Sequence, residues 1–391
     1  MSIDFWKLLA GLGLFIFGMF LLEESVRAFS GKAFRRIIRQ YTNGRIKSIA
    51  SGTFITAILQ SSSAVSLMVL AFVGAGVMTM ENAIGVIMGS NIGTTLTAWI
   101  VAVFGFKLKI ETFALPFIGI GGIGLILFGY TAKISYLARL FIGFGFLFLG
   151  LDYMKGSVES LSQNIDLATI ASHGLWLFFV IGTVLTALMH SSAASVAIAL
   201  TAVHGGLITF EMGTAIVIGA NVGTTITILM GSIGGTQPKK RVALSHLLFN
   251  VLTAAVTFAC LPFFNWLVRA CIDVTANSLM ALALFHTLFN FAGVILFFPF
   301  IGLMATMLIR LYPDNMPSEV TDAAGSALRN EVTHLFQECQ LYNLRLMKID
   351  EKLVFDQDLP FEKHAKKKKS LSNLYEDIKL LHAEVFAFYC R

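Results

Sequence analysis

The chain has 391 residues, of which 56% are hydrophobic and 13% charged, against roughly 25% charge in an ordinary soluble domain. A net charge of +6 does not argue for nucleic acid, because the excess Lys and Arg sit in short loops beside apolar stretches, where they face cytoplasm and anionic lipid. Cys260, Cys271, Cys339 and Cys390 show no metal-ligand or redox spacing. No phosphate loop or nucleophile elbow occurs, so ATP-driven and enzymatic readings lack support.

The apolar stretches reach the length that a membrane requires, about 20 helical residues. The expected fold class is an all-α polytopic membrane protein. Its first half (1–131) reads as a span at Phe5–Val26, a re-entrant hairpin at Ile49–Ala75, and spans at Ala83–Phe104 and Thr112–Tyr130. Its second half (132–312) reads as a span at Tyr136–Tyr153, a hairpin at Leu175–Val203, and spans at Met212–Ile233, Val242–Val268 and Leu279–Ile309. That makes about seven full spans. The first apolar run ends in Glu23-Glu24 with no small-residue cleavage site, so it is retained rather than removed as a signal. From about Asp314 the composition changes. Val320, Leu328, Val332 and Leu335 recur at helical spacing, Asp356–Pro360 breaks the helix, and Leu371–Phe388 resumes it. This tail (313–391) reads as a small cytoplasmic helical hairpin, with Lys366–Lys369 as a solvated or lipid-facing charge run.

The halves are related. Gly52-Thr-x-x-Thr-Ala-x-x-Gln60-Ser61-Ser62 recurs as Gly182-Thr-x-x-Thr-Ala-x-x-His190-Ser191-Ser192, offset by 130 residues. At the same offset Gly89-Ser-Asn91-Ile-Gly93-Thr94-Thr95-Leu-Thr97 recurs as Gly219-Ala-Asn221-Val-Gly223-Thr224-Thr225-Ile-Thr227. Gly18, Ser25 and Val26 answer Gly150, Ser157 and Val158. Arg27–Lys47 carries seven basic residues, whereas its counterpart Asp152–His173 holds three acids and one Lys. The positive-inside rule puts these loops on opposite faces, which makes the repeats inverted. The same rule favours hairpins that return to the side they left, an external N-terminus and a cytoplasmic C-terminus.

Irregular backbone at membrane depth persists only where it is buried in protein or lines a cavity. A turn at Gln60-Ser61-Ser62-Ser63 exposes amide N–H groups at a half-helix start, which suit an anion. It also exposes carbonyls and hydroxyls, which suit sodium. The same logic extends to the Asn-x-Gly-Thr-Thr segments, so four breaks are expected near the midplane, with Gly93 and Gly223 relieving strain. An isolated Ser or Thr in a membrane helix is better read as back-bonding or close packing. The duplication of both motifs favours a site. Gly11, Gly13, Gly18, Gly119, Gly121, Gly122 and Gly124 are assigned to packing. Glu81 and Glu211 stand at matching helix starts and read as caps. His246 with Asn250, and His286 with Asn290, read as structural hydrogen-bonding pairs between helices. His190 takes the place of Gln60 in the second motif.

The Gln60–Ser63 segment, its echo His190–Ala193 and the two Asn-x-Gly-Thr-Thr segments resemble the paired signature of the type II sodium–phosphate cotransporters and their bacterial relatives. The resemblance spans roughly Phe5 to Ile309. It implies sodium-coupled symport of inorganic phosphate by alternating access, in a bacterial inner membrane. It implies phosphate at Gln60, Ser61, Ser62 and Ser63 and across from them at His190, Ser191 and Ser192. Sodium, the coupling ion in place of any cofactor, falls to Asn91, Thr94, Thr95, Asn221, Thr224 and Thr225. The tail loosely resembles part of a PhoU-type helical module. The second signature departs at His190 and Ala193, which leaves the coupling ion open. Export of phosphate, another small anion, or a non-transporting sensor are the alternatives. Analogy with inverted-repeat transporters suggests a homodimer.

Overall fold

In a computed structural model, the described residues are 3–107, 110–162 and 174–313, with Thr333 and Phe336 beyond them. The chain divides into two units, Met1–Pro313 and Asp314–Arg391. The expected tail hairpin and the Lys366–Lys369 run lie outside the described residues.

All regular structure among the described residues is helical. The order is α1 (Ile3–Tyr41), α2 (Arg45–Leu59), α3 (Ser62–Gly74), α4 (Met80–Lys107), α5 (Ile110–Phe128) and α6 (Ala132–Ser162). It continues with α7 (Gly174–Met189), α8 (Ser192–His204), α9 (Phe210–Gly223), α10 (Thr225–Ser232), α11 (Gln237–Ala259) and α12 (Leu261–Cys271). The unit ends with α13 (Ser278–Phe297), a short 3₁₀ turn (Phe298–Phe300) and α14 (Ile301–Leu311).

Among the described residues, six helical stretches are long and apolar enough to cross a membrane. The third expected span falls on α5 (Ile110–Phe128), a 19-residue apolar helix. Two expected spans are interrupted. Val242–Val268 divides at Cys260, because Pro262 sits in the first turn of α12 and cannot continue α11. Leu279–Ile309 passes through the 3₁₀ turn at Pro299.

Large apolar side chains such as Leu115, Ile120, Ile123, Ile126 and Leu127 stand exposed along α5, as a lipid-facing helix requires. Inside, one apolar cluster gathers around α8, α9 and α13, and another around α2, α3, α4 and α14. Lipid is as apolar as the core, so helices associate through close van der Waals contact and hydrogen bonds. The glycines supply the close contact. A Cβ on Gly52 would lie 2.1 Å from the Val86 oxygen, and one on Gly182 would lie 2.2 Å from the Ile216 oxygen. These glycines let α2 approach α4, and α7 approach α9, to backbone distance. Gly13, Gly119 and Gly122, expected to pack, have nothing within 4 Å of the Cβ position.

Hydrogen bonds lock the same crossings. Thr53 Oγ1 donates to Gly89 O at 3.0 Å, and Thr183 Oγ1 donates to Gly219 O at 3.1 Å. The Trp99 indole ties α4 to Thr287 of α13 at 3.0 Å. Arg45 grips Glu81 with two N–H groups, at 3.0 and 3.1 Å, and Arg269 pairs with Glu211. The caps at these helix starts are therefore threonines. Thr79 and Thr209 accept from the amides of Asn82 and Met212, while the glutamates hold arginines from other helices.

Candidate functional site: a serine-lined pocket between two helix breaks

Apart from Gly234, the positive-φ positions among the described residues repeat along with the sequence. Gly44 precedes α2 and Gly174 opens α7, and Gly76 and Gly206 follow α3 and α8. Gln60 (φ 55°) and His190 (φ 51°) separate α2 from α3 and α7 from α8, and are the only non-glycine residues with positive φ among the described residues. A left-handed residue stops a helix, at a cost of roughly 1–2 kcal/mol when it carries a Cβ. Side-chain bonds hold each one in place. Thr97 Oγ1 donates to Gln60 Oε1 at 2.8 Å, and His190 Nδ1 lies 3.2 Å from Thr227 Oγ1. Thr97 and Thr227 belong to the second repeated motif, so one motif orients the turn of the other.

The next residue in each turn is a helix cap. Ser61 and Ser191 are extended, with φ −143° in both, and each side chain accepts from the amide three residues on, at Ala64 and Ala194. These two hydroxyls are thereby engaged in folding. The Ser62, Ser63 and Ser192 hydroxyls take no hydrogen bond among the described residues. The first-turn amides of α3 and α8 have no partner within their own helices, and both helix dipoles end here with their positive ends.

The two breaks converge on one pocket of about 190 Å³. Gln60, Ser61, Ser62 and Ser63 line it from one side, and His190, Ser191, Ser192 and Ala193 from the other. Thr94 of α4, Met189, and Ile16, Met19, Phe20 and Glu23 of α1 complete the wall. All seven residues expected to hold the anion are thus brought together.

The Asn-x-Gly-Thr-Thr segments behave differently from expectation. Four breaks were expected and two occur. α4 runs unbroken from Met80 to Lys107, and its counterpart is only nicked at Thr224, which keeps a helical backbone. Hydrogen bonding explains this. Thr94, Thr95, Thr224 and Thr225 all donate to carbonyls three or four residues back, Thr225 across the nick to Val222, so the hydroxyls are taken up locally. Gly93 and Gly223 serve close approach rather than strain relief, since a Cβ there would lie 2.5 Å from Thr53 O and Thr183 O. Of the six residues expected to serve the cation, Thr94 alone reaches the pocket wall. Asn91 and Asn221 instead both donate to Asn250 Oδ1, at 2.7 and 2.6 Å.

Asn250 Nδ2 in turn donates to the His246 carbonyl. On α13 Asn290 donates to the His286 carbonyl in the same way, but its Oδ1 is buried without a hydrogen-bond partner among the described residues. Neither His246 ring nitrogen has a partner among them either, so the histidine half of the expected interhelical pairs makes no side-chain bridge. Thr97, Thr227 and Glu23 were missed, whereas Asn250 was expected to hydrogen-bond between helices and does so, to Asn91 and Asn221. The constant 130-residue offset pointed to the two threonines; nothing in sequence pointed to Glu23.

A helical body with a polar pocket set where two helices break is the architecture of a membrane transport protein. More specifically, the chain belongs to the Na+/Pi-cotransporter family, whose model matches residues 14–156 and 166–310. It is 30% identical over 302 residues to "Uncharacterized protein YqeW" of Bacillus subtilis, covering 76% of this chain and 95% of that one. It is 24% identical over 398 residues to "Putative inorganic phosphate export protein YjbB" of Salmonella typhimurium, covering 98% of this chain and 70% of the other. A 97-residue stretch, 24% of the chain, is 32% identical to 15% of the "Sodium-dependent phosphate transport protein 2A" of Mus musculus. No solved structure matches.

Proposed function

We propose that this protein is a secondary active transporter that moves inorganic phosphate together with sodium by alternating access. The observation that carries the reading is the convergence of two capped helix starts, with the free hydroxyls of Ser62, Ser63 and Ser192, on one pocket. Unpaired N–H groups and positive dipole ends attract an anion, and neutral hydroxyls discriminate by hydrogen bonding. Phosphate is held by Gln60, Ser61, Ser62, Ser63, His190, Ser191 and Ser192. Asn91, Thr94, Thr95, Asn221, Thr224 and Thr225 serve sodium, since a hydroxyl that donates to a carbonyl keeps lone pairs for a cation. Family membership supports both the anion and the ion.

In this reading residues 1–131 and 132–312 are inverted repeats, each with a re-entrant hairpin, in a bacterial inner membrane with an external N-terminus and a cytoplasmic C-terminus. Contacts at the hairpin mouths support it. Gly74, the last residue of α3, lies beside Lys239, and neighbouring Arg241 donates to Tyr312 O. Gly205, after α8, lies beside Val158 and Glu159, and Glu211 pairs with Arg269. α11 begins at the first group of contacts, and Phe258 near its other end packs on Trp176 at the start of α7, the first helix of the second hairpin. A homodimer is part of the same proposal, by analogy.

The test is labelled-phosphate flux in proteoliposomes with and without a sodium gradient. Flux that ignores sodium ends the coupling claim, and the absence of any flux ends the transporter claim. The likeness to the YjbB proteins over 98% of the chain favours a second reading, export. Efflux from preloaded vesicles of known protein orientation decides between the directions.

A further inference from the structure

One wall of the pocket carries a group that an anion site does not invite. Ile16, Met19, Phe20 and Glu23 form a single helical face of α1, and Glu23 puts a carboxylate on the wall of a pocket otherwise lined by neutral groups and His190. Its Oε1 accepts from Arg27 Nη2 at 2.5 Å, while no hydrogen bond among the described residues reaches Oε2. The Arg27 side chain is 56% exposed and that of Glu23 is 30% exposed, so solvent screens the pair and one oxygen remains to bind a cation.

The other charges nearby are committed or remote. On α1, Glu24 is held by Arg139 of α6. On α2, Arg45 is held by Glu81, and Lys47 is exposed. On α8 the titratable group is His204, at the far end of that helix from the pocket.

The repeat does not explain the carboxylate. At the spacing that relates Gly18 to Gly150 and Ser25 to Ser157, Glu23 falls on Lys155 and Arg27 on Glu159. The i,i+4 pair is kept with its signs reversed, and Lys155 is not part of the pocket wall. A carboxylate at the pocket is therefore a feature of the first half alone.

We propose that Glu23 is a specificity-determining residue that admits the anion only together with a monovalent cation, sodium or a proton, seated on its carboxylate. The inference rests on the phosphate-transport reading above. Arg27 is not part of the pocket wall, so at the pocket the Glu23 carboxylate still opposes an incoming anion, and a cation on the free oxygen removes that repulsion and brings its own charge into the translocated complex.

The experiment measures labelled-orthophosphate binding and flux for the full-length wild type and for Glu23→Gln, varying sodium at fixed pH and pH at fixed sodium. In wild type, binding strengthens with one of the two cations, and the responsive series identifies which. Glu23→Gln is expected to bind phosphate roughly tenfold tighter at low cation concentration and to lose one cation from the coupling ratio read by reversal potential. Glu23→Asp keeps the wild-type cation dependence. The proposal is overturned if Glu23→Gln keeps the wild-type cation dependence, or if it is folded and binds no phosphate at any cation level. Wild type that neither binds nor moves phosphate would instead overturn the transport reading.

Discussion

Asn91 and Asn221 are joined through a single atom. Each donates its side-chain amide to the Oδ1 of Asn250, at 2.7 and 2.6 Å. They are the matching asparagines of the two repeats, so one buried carbonyl on α11 links the halves of the molecule next to the pocket. Replacing Asn250 by Ala strands both amides, at about 1–3 kcal/mol for each buried donor left unpaired. Asn250→Ala should therefore melt well below wild type in detergent, and Asn250→Asp, which keeps an acceptor, should recover part of the loss. Thermal unfolding followed by size exclusion checks both.

The serines of each turn divide into two roles, and substitution should separate them. Ser61→Ala and Ser191→Ala remove a helix cap, so stability should fall by about 1 kcal/mol. Ser62→Ala and Ser192→Ala remove hydroxyls with no structural partner. They should leave the melting temperature unchanged and cut phosphate flux roughly 10–100-fold, the worth of a hydrogen bond to a charged group. Flux and melting curves on all four variants decide the division.

Gln60 and His190 hold strained backbone, and the cost depends on the side chain. Valine at either position is expected to destabilise by more than the roughly 1–2 kcal/mol that a Cβ already costs there. Glycine should relieve the backbone but free Thr97 or Thr227 from its contact, giving a stable protein with reduced flux. His190→Gln rebuilds the first motif in the second half and should transport. Unfolding in denaturant and flux assays read these outcomes.

Close approach gives a sharp contrast among the glycines. Gly52→Ala and Gly182→Ala place a methyl group against backbone oxygens and should cost about 1–3 kcal/mol or more, because backbone cannot yield as a flexible side chain does. Gly119→Ala, facing open space, should be silent. Yield of monodisperse protein and melting temperature are the measurements.

The proposed inverted arrangement predicts sidedness. In a cysteine-less background, Thr236→Cys should react with a membrane-impermeant maleimide from the cytoplasmic side alone, and Ala276→Cys from outside alone. Both positions are exposed. Labelling of both from one side would refute the layout.

Much of this was legible along the chain because the signals are local. The Gln60 and His190 turns were readable as breaks, since a polar Ser-rich tetrad in an apolar run is repeated at a constant offset. The Asn-x-Gly-Thr-Thr segments carry similar residues and misled, because whether a threonine breaks a helix or back-bonds within it depends on what lies beside it. Here α2 and α7 lie against Gly93 and Gly223, and the hydroxyls turn inward to their own carbonyls. Pro262 and Pro299 were visible in sequence, but hydropathy averaged over a window passed across both.

Composition and periodicity alone determined a polytopic helical protein with two related halves and two serine-rich turns, because lipid imposes the same backbone satisfaction on every segment regardless of its neighbours. Only the tertiary structure decided that the turns face one pocket, that Asn250 joins Asn91 to Asn221, and that Glu23 stands on the pocket wall. Those are contacts between residues distant along the chain. They depend on which helix faces meet at backbone distance, a matter of packing that no local pattern encodes.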